Sequence, residues 1–445
     1  RLLILVDVLK PLRSVLVVFL LLLSNTNKEQ IKNIISPYDL EIIGVLFYLF
    51  KWLYMSNFTD HQIRFANLYS FMVLGILESS WAPMIPYIKD RFMLDEGSLG
   101  LLLLCLGVGS FCALPLVGSM SAKLGCKALV YISGILMALS LFLVAISQNL
   151  YLTGALLFIF GMSTIGIDIG SNVNAVMVEN ELKRPLMSGF HGGYSLGTLL
   201  GAFLVSAMLS FGLNLIFCAL AVFTITLFLV FGGCRALYNK GQTQENEQNS
   251  KENDNSQKYK AFFHPLVIIV GLLCFVMYST EGAVMSWSAV FAHQERNLEI
   301  EYAGFIYTAF ACAMTIMRLV GNRLVEKIGR RKTVVIGALL VSIGFATTVI
   351  VANILGTILG FVLIGFGAAN IVPQLVSFGA HIKGVKVHIA ISIINALGYS
   401  GILAGPVIIG FIANNFSIAT AFSFISLLVL VVALTSFKIL RRSQI

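Results

Sequence analysis

Ala122-Lys123-Leu124-Gly125-Cys126-Lys127 is echoed, at an offset of 204 (329 − 125), by Glu326-Lys327-Ile328-Gly329-Arg330-Arg331. Each stretch is a short basic loop around one glycine, and each stands between two long apolar segments. Working outward, Leu94-Asp95 with Gly100 is echoed by Leu298-Glu299 with Gly304 (304 − 100 = 204). Gly193-Tyr194-Ser195 is echoed by Gly398-Tyr399-Ser400 (398 − 193 = 205). Even an acid inside an apolar segment recurs, Glu78 and Glu281 (281 − 78 = 203). A near-constant offset at four separate places marks an internal duplication.

The segments between these landmarks are too apolar for a water-soluble fold. Hydrophobic residues make up 58% of the 445 and charged residues 11%, with a mean hydropathy of +0.90. A soluble domain carries about a quarter charged residues, so the bilayer is the solvent. The net charge is +9, yet the cations stand in short runs between apolar segments without interleaved aromatics. That pattern belongs to membrane loops and not to a nucleic-acid groove. The seven cysteines (105, 112, 126, 218, 234, 274 and 312) show no CxxC spacing, so no metal or disulfide role is expected of them.

Spans are predicted near 65–88, 97–120, 128–147, 150–178, 188–209 and 212–233, and again near 264–292, 302–321, 333–352, 354–379, 387–413 and 418–438. This gives an all-α membrane protein with twelve transmembrane helices in two six-helix bundles, residues 55–233 and 262–445. The polar stretch 234–261 between them lacks the apolar residues to form a core and reads as a disordered cytoplasmic linker. Residues 1–54 read as an extension upstream of a start at Met55, the alternative being one or two further helices. Lys and Arg concentrate in alternate loops, at Lys123/Lys127, Lys183/Arg184, Arg323–Lys332, Lys383/Lys386 and Arg441/Arg442. By the positive-inside rule these loops, the linker and both termini are cytoplasmic. Six spans per half return the chain to the same side, so the two halves are a parallel repeat enclosing a midplane cavity.

With these motifs in hand, the chain over 55–445 resembles the major facilitator superfamily. Members carry a loop after the second helix of the form G-x-x-x-D-R-x-G-R-R. The second copy here, Asn322 through Arg331, keeps Glu326, Lys327, Gly329, Arg330 and Arg331 but opens on Asn322. The first keeps Gly118, Lys123, Gly125 and Lys127 but places Ala122 where the acid belongs. The resemblance implies that this loop latches the bundles in one alternating state, and the missing acid weakens that implication for the N-half. Trp81-Ala82-Pro83, Pro185 through Gly192 and Glu281-Gly282-Ala283 are similar to a bacterial branch near the fucose:proton symporters. That likeness implies a bacterial inner membrane and a proton partner.

An ionisable residue at membrane depth is costly and points to function. Glu78, Asp168 and Glu281 lie in the first, fourth and seventh spans. A desolvated carboxylate favours its neutral form, so such a group can take a proton from one side and release it to the other. The symporter likeness, whose members use acids of the first and fourth helices, implies this role for Glu78 and Asp168; the alternative is a static interhelical hydrogen bond. Candidates to contact a solute are Trp81, Asn172, Asn174, His191, Tyr194, Trp287, Asn370, Gln374, Asn395 and Tyr399. Amides hydrogen-bond hydroxyls and aromatic rings stack on a sugar face, although aromatics near helix ends also form interfacial belts. Arg318 is expected one turn from a helix end, snorkelling to the surface.

The function expected is secondary transport of a small polar, sugar-like solute by a monomer, coupled to protons, with no cofactor. A multidrug:proton antiporter is the alternative. It is weakened because the G-x-x-x-G-P pattern of drug antiporters, found in their fifth helix, appears here in the eleventh as Gly401 through Pro406. A non-transporting membrane sensor is a further alternative. The sequence contains no HExxH, GxSxG or Walker A motif, so neither an enzyme nor an ATP-driven pump is expected.

Overall fold

The computed structural model describes residues 58–184, 186–239, 264–382 and 385–440. The proposed extension 1–54 and all but the first residues of the predicted linker lie outside them. Among the described residues, twelve helices are long and apolar enough to cross a membrane. We number them α1 (Asp60–Arg91), α2 (Glu96–Leu124), α3 (Cys126–Ile146), α4 (Leu150–Leu182), α5 (Met187–Ser210), α6 (Leu215–Ala236), α7 (Pro265–Arg296), α8 (Ile300–Ile328), α9 (Arg330–Ile350), α10 (Ile354–Gly379), α11 (Val387–Asn415) and α12 (Ile418–Ile439).

The repeat is visible at atomic level. Gly125 and Gly329 end α2 and α8 with φ of 83° and 81°, left-handed values that a glycine adopts without steric cost. Asn149 and Asn353 cap α4 and α10 by accepting from Leu152 N and Gly356 N. Arg91 donates to the carbonyls of Val144, Ala145 and Ser147 at the end of α3. Arg296 does the same for Thr348 and Val349 at the end of α9. Both arginines satisfy carbonyls that a helix end leaves orphaned.

Small residues draw the inner helices together. A Cβ on Gly197 or Gly201 of α5 would collide with the α1 backbone at Met72 and Ile76, and one on Gly75 with the α5 backbone at Tyr194. Gly401 and Gly405 of α11 meet α7 at Phe275 and Ser279 in the same way. With lipid outside, close backbone packing of this kind holds membrane helices together.

Three differences from the expected boundaries matter. The eighth helix continues to Ile328, so Arg318 lies ten residues (328 − 318) from its end and not one turn. The tenth is interrupted at Ala369–Asn370 between Ile354–Ala368 and Ile371–Gly379. The sixth continues through a π-helical turn, Leu229–Gly233, into a short 3₁₀ turn, Cys234–Ala236. Cys234, Ala236 and Leu237 are buried, so the first residues of the predicted linker are packed.

Between the halves, α2 packs on α11 and α5 on α8. Gly97, Gly100 and Gly107 face Asn414, Gly410 and Leu403, while Gly304 faces Pro83 and Ser206. These contacts run from the end that carries Asp90 and His293 to the middle of the helices. Toward the linker end, Gly189 has open space where a Cβ would stand and His191 is exposed.

Candidate functional site

In the N-half, the close approach of α1 and α5 sets Glu78 against Tyr194, whose hydroxyl donates to Glu78 Oε2 at 2.8 Å. On α4, Asn172 follows Asp168 by one turn and its Nδ2 donates to Asp168 Oδ1 at 2.8 Å. Asn174 does not join this pair. Its side chain is buried and donates to the carbonyl of Tyr238 at 3.2 Å, tying α4 to the residues after α6.

In the C-half, Glu281 of α7 lies 3.7 Å from Arg318 of α8, both side chains partly accessible at 25% and 30%. Arg318 also reaches the other half, donating to Ser195 Oγ at 3.3 Å, and Thr315 Oγ1 donates to the Ser195 carbonyl at 3.1 Å. Arg318, expected to snorkel to the surface, thus has partners in both halves. With α8 running on to Ile328, its guanidinium is held by a carboxylate and a serine.

These groups form one constellation. Glu78 lies within electrostatic reach of Asp168, Glu281 and Arg318. Tyr307 of α8, a buried residue, lies within electrostatic reach of Glu78, Glu281 and Arg318. Tyr399 of α11 stacks on Tyr278 of α7, with ring centroids 5.2 Å apart, within electrostatic reach of Asp168 and Glu78. Glu78 with Tyr194, Asp168 with Asn172 and Glu281 with Arg318 are thus in direct contact, and Glu78 lies within electrostatic reach of the other two acids. A charge in hydrocarbon is stable only with partners or access to water, and these side chains have partners and partial access.

The remaining predicted residues are placed otherwise. Trp81 and Trp287 are fully buried, and Trp287 Nε1 donates to the Pro406 carbonyl at 3.2 Å. His191 does not reach Asp168; it packs edge-on against Phe71 with ring centroids 5.0 Å apart. Asn370, at the break in α10, donates to the Met317 carbonyl. Gln374 accepts from Arg330 Nε at 3.4 Å, and Arg330 also donates to Ser377. Asn395 is half-buried on α11.

Of the loop residues, Gly118 falls inside α2 and Lys123, Glu326 and Lys327 are exposed. Lys127 donates to the Arg235 carbonyl, and Arg331 donates to the Phe437 carbonyl and covers its ring. Among the described residues, no group of three His, Cys, Asp or Glu side chains could hold a metal ion.

Tyr278, Tyr307, Ser195 and Thr315 were not singled out from sequence. A signal for the last existed: Thr308, Thr315 and Arg318 fall at i, i+7 and i+10, close to one face of a 3.6-residue helix. Thr308 pairs with Ser206 of α5 at 3.4 Å, Thr315 and Arg318 with Ser195.

A model of the Major Facilitator Superfamily matches residues 68–373 and 291–444. An uncharacterised MFS-type transporter of Yersinia pestis is 37% identical over 372 residues, covering 84% of this chain and 94% of that protein. Membrane protein MosC of Rhizobium meliloti is 26% identical over 375 residues, covering 83% and 88%. Among solved structures, a point mutant of the nucleoside transporter NupG superposes with a TM-score of 0.69 at 14% identity, covering 85% of this chain and 99% of that one. A bacterial homologue of the human drug peptide transporters PepT1 and PepT2 gives 0.66 at 10%, covering 87% and 99%. At these identities the structural likeness establishes the fold alone.

Proposed function

The chain belongs to the Major Facilitator Superfamily, a multi-pass membrane transporter, and we propose that it carries a small polar solute by alternating access coupled to protons. The observation that carries this reading is the Glu281–Arg318 pair, which reaches Ser195 of the other half, with Glu78 on Tyr194 within electrostatic reach of it and of Asp168. Three acids facing one cation leave carboxylates whose charge a proton can neutralise, and their partly accessible side chains give that proton a route.

Glu78 and Asp168 hold the exchangeable protons, each steadied by one neutral donor, Tyr194 or Asn172. Glu281 is balanced by Arg318. The solute is held between halves by the exposed ring of Tyr399, by Tyr194 and by the amides of Asn172, Asn370 and Asn395. This polar lining suits hydroxyl-bearing solutes of sugar-like character better than the apolar cargo of a drug antiporter. The contacts near Asp90 and His293 close the non-cytoplasmic side, and the space around Gly189 and His191 opens to the cytoplasm of a bacterial inner membrane.

The test is solute-induced proton movement in proteoliposomes, followed with an entrapped pH-sensitive dye across a panel of sugars, nucleosides, organic acids and cationic drugs. A polar solute that drives proton flux supports the reading. Flux driven by cationic drugs alone would replace it with drug antiport.

A further inference from the structure

Arg318 has no counterpart in the other half. The offset of 204 that aligns the repeats takes it to Leu114 (318 − 204 = 114). The acids do correspond, Glu78 with Glu281, and so do the tyrosines, Tyr194 with Tyr399. In the N-half this set suffices, because Glu78 accepts from Tyr194 and, among the described residues, has no ion pair. In the C-half Tyr399 stacks on Tyr278 instead, and Glu281 stands beside the guanidinium. An acid at this place can therefore be held by a neutral donor. Arg318 supplies more than Glu281 requires.

Much of what it offers is also unused. A guanidinium carries five N–H donors in a planar fork. Among the described residues, one of them meets an acceptor within hydrogen-bond distance, Ser195 Oγ at 3.3 Å, while Glu281 stands off at 3.7 Å. The two side chains remain 30% and 25% accessible. Toward the linker end, α5 leaves room beside them. Gly189 meets nothing within 4 Å, and Gly192 meets only Leu319 Cδ2 at 3.9 Å. His191, between these glycines, is exposed and within electrostatic reach of Arg318, so a second basic side chain stands at the same opening.

A charged pair held loosely, with spare donors and access, suits the exchange of one carboxylate for another. An incoming carboxylate can accept two parallel N–H bonds from the fork, which Glu281 at its distance does not. Glu281 then loses its cation while Glu78 remains within electrostatic reach. One proton taken up by the site's acids restores the balance, since like charges close together favour a neutral form. A doubly charged phosphate would set two charges against one guanidinium, so a single carboxylate fits better. We infer that the solute is a hydroxyl-bearing monocarboxylate, of the sugar-acid class, whose carboxylate binds Arg318 in place of Glu281 and enters with a proton. The inference rests on the proposed proton-coupled transport and adds to it the charge of the solute.

The test uses probes matched but for one carboxylate, glucose against glucuronate and galactose against galacturonate, with glucose 6-phosphate as the doubly charged member. Binding to the full chain in detergent is read from the rise of melting temperature with probe concentration. At least one acid is expected to bind about tenfold or more tighter than its neutral partner and than the phosphate, the factor of one charge-assisted contact. Glu281→Gln removes the competitor and is expected to tighten that binding roughly tenfold. Arg318→Lys keeps the charge without the fork and is expected to weaken it about tenfold. The double variant Arg318→Met/Glu281→Gln leaves neither partner as an unpaired charge, and is expected to abolish the preference for the acid even if Arg318→Lys fails to fold. No preference for an acid in either pair, tighter binding of the phosphate, or weaker acid binding in Glu281→Gln overturns the inference. A merely structural pair would lose binding in every variant alike. Flux in proteoliposomes separates this inference from the reading beneath it. Protons driven by the neutral sugars alone would keep the transport and remove the carboxylate. Selective, Arg318-dependent binding of an acid without proton flux would keep the carboxylate and remove the coupling.

Discussion

Tyr194 donates its hydroxyl proton to Glu78 across the α1–α5 interface at 2.8 Å, so the carboxylate proposed to carry a proton is positioned by a single neutral phenol. Tyr194→Phe removes that donor and leaves a carboxylate oxygen unpaired, a loss of about 1–3 kcal/mol when nothing replaces it. The expected outcome is a lower melting temperature in detergent and a shifted pH profile of transport. Glu78→Gln, which still offers an oxygen to Tyr194, is expected to melt close to the parent protein.

Arg318 and Glu281 should behave as a coupled pair. Their separation of 3.7 Å and partial exposure place the coupling between that of a surface pair and a buried one, about 1–2 kcal/mol. A double-mutant cycle with Arg318→Met and Glu281→Gln measures it through chemical unfolding. The double variant is expected to be more stable than the sum of the two single losses predicts. Additive losses would remove the pair from the account.

Glycine positions divide by what faces them. Gly201→Ala forces a Cβ into the Ile76 backbone and is expected to cost about 1–3 kcal/mol, the usual range for overpacking. Gly189→Ala meets nothing within 4 Å and is expected to be neutral or to stabilise by up to about 1 kcal/mol through helix propensity. Thermal unfolding of the two variants side by side checks the contrast.

The Asp95 cap carries a pH signature. Its carboxylate accepts from Ser98 N at 2.6 Å, ahead of α2, and this bond holds it below the usual aspartate range. A lowered folded value means the stabilisation is complete above the unfolded value of about 3.9 and fades as pH falls below it through the folded value. The melting difference between the parent and Asp95→Ala is expected to be constant at neutral pH and to shrink in acid.

Much of this architecture was legible in the sequence because each feature rested on a local cause. Membrane spans follow from unbroken apolar length, and the duplication from Gly125/Gly329 and the paired acids. Asp168 with Asn172 was legible because four residues of helix suffice to bring them together. What escaped depended on partners distant in the chain. Arg318 looked like a residue near a helix end because polar Asn322 and Arg323 follow it, yet α8 runs on to Ile328 and the guanidinium finds Ser195, 123 residues away. Asn174 shares a helix with Asp168, but a half-turn swings it to Tyr238. Trp81 and Trp287 have the right chemistry for stacking on a sugar, yet the structure buries both completely.

Whether Glu78 and Asp168 carry the coupled proton is decided by comparing two modes of transport in Asp168→Asn and Glu78→Gln proteoliposomes. For the solute found by the proton-flux panel, equilibrium exchange needs no net proton movement, whereas uphill accumulation under an imposed pH gradient does. Both variants are expected to retain exchange within about a factor of three of the parent, an allowance of about 0.7 kcal/mol, and to lose accumulation. Full accumulation in both variants would contradict it.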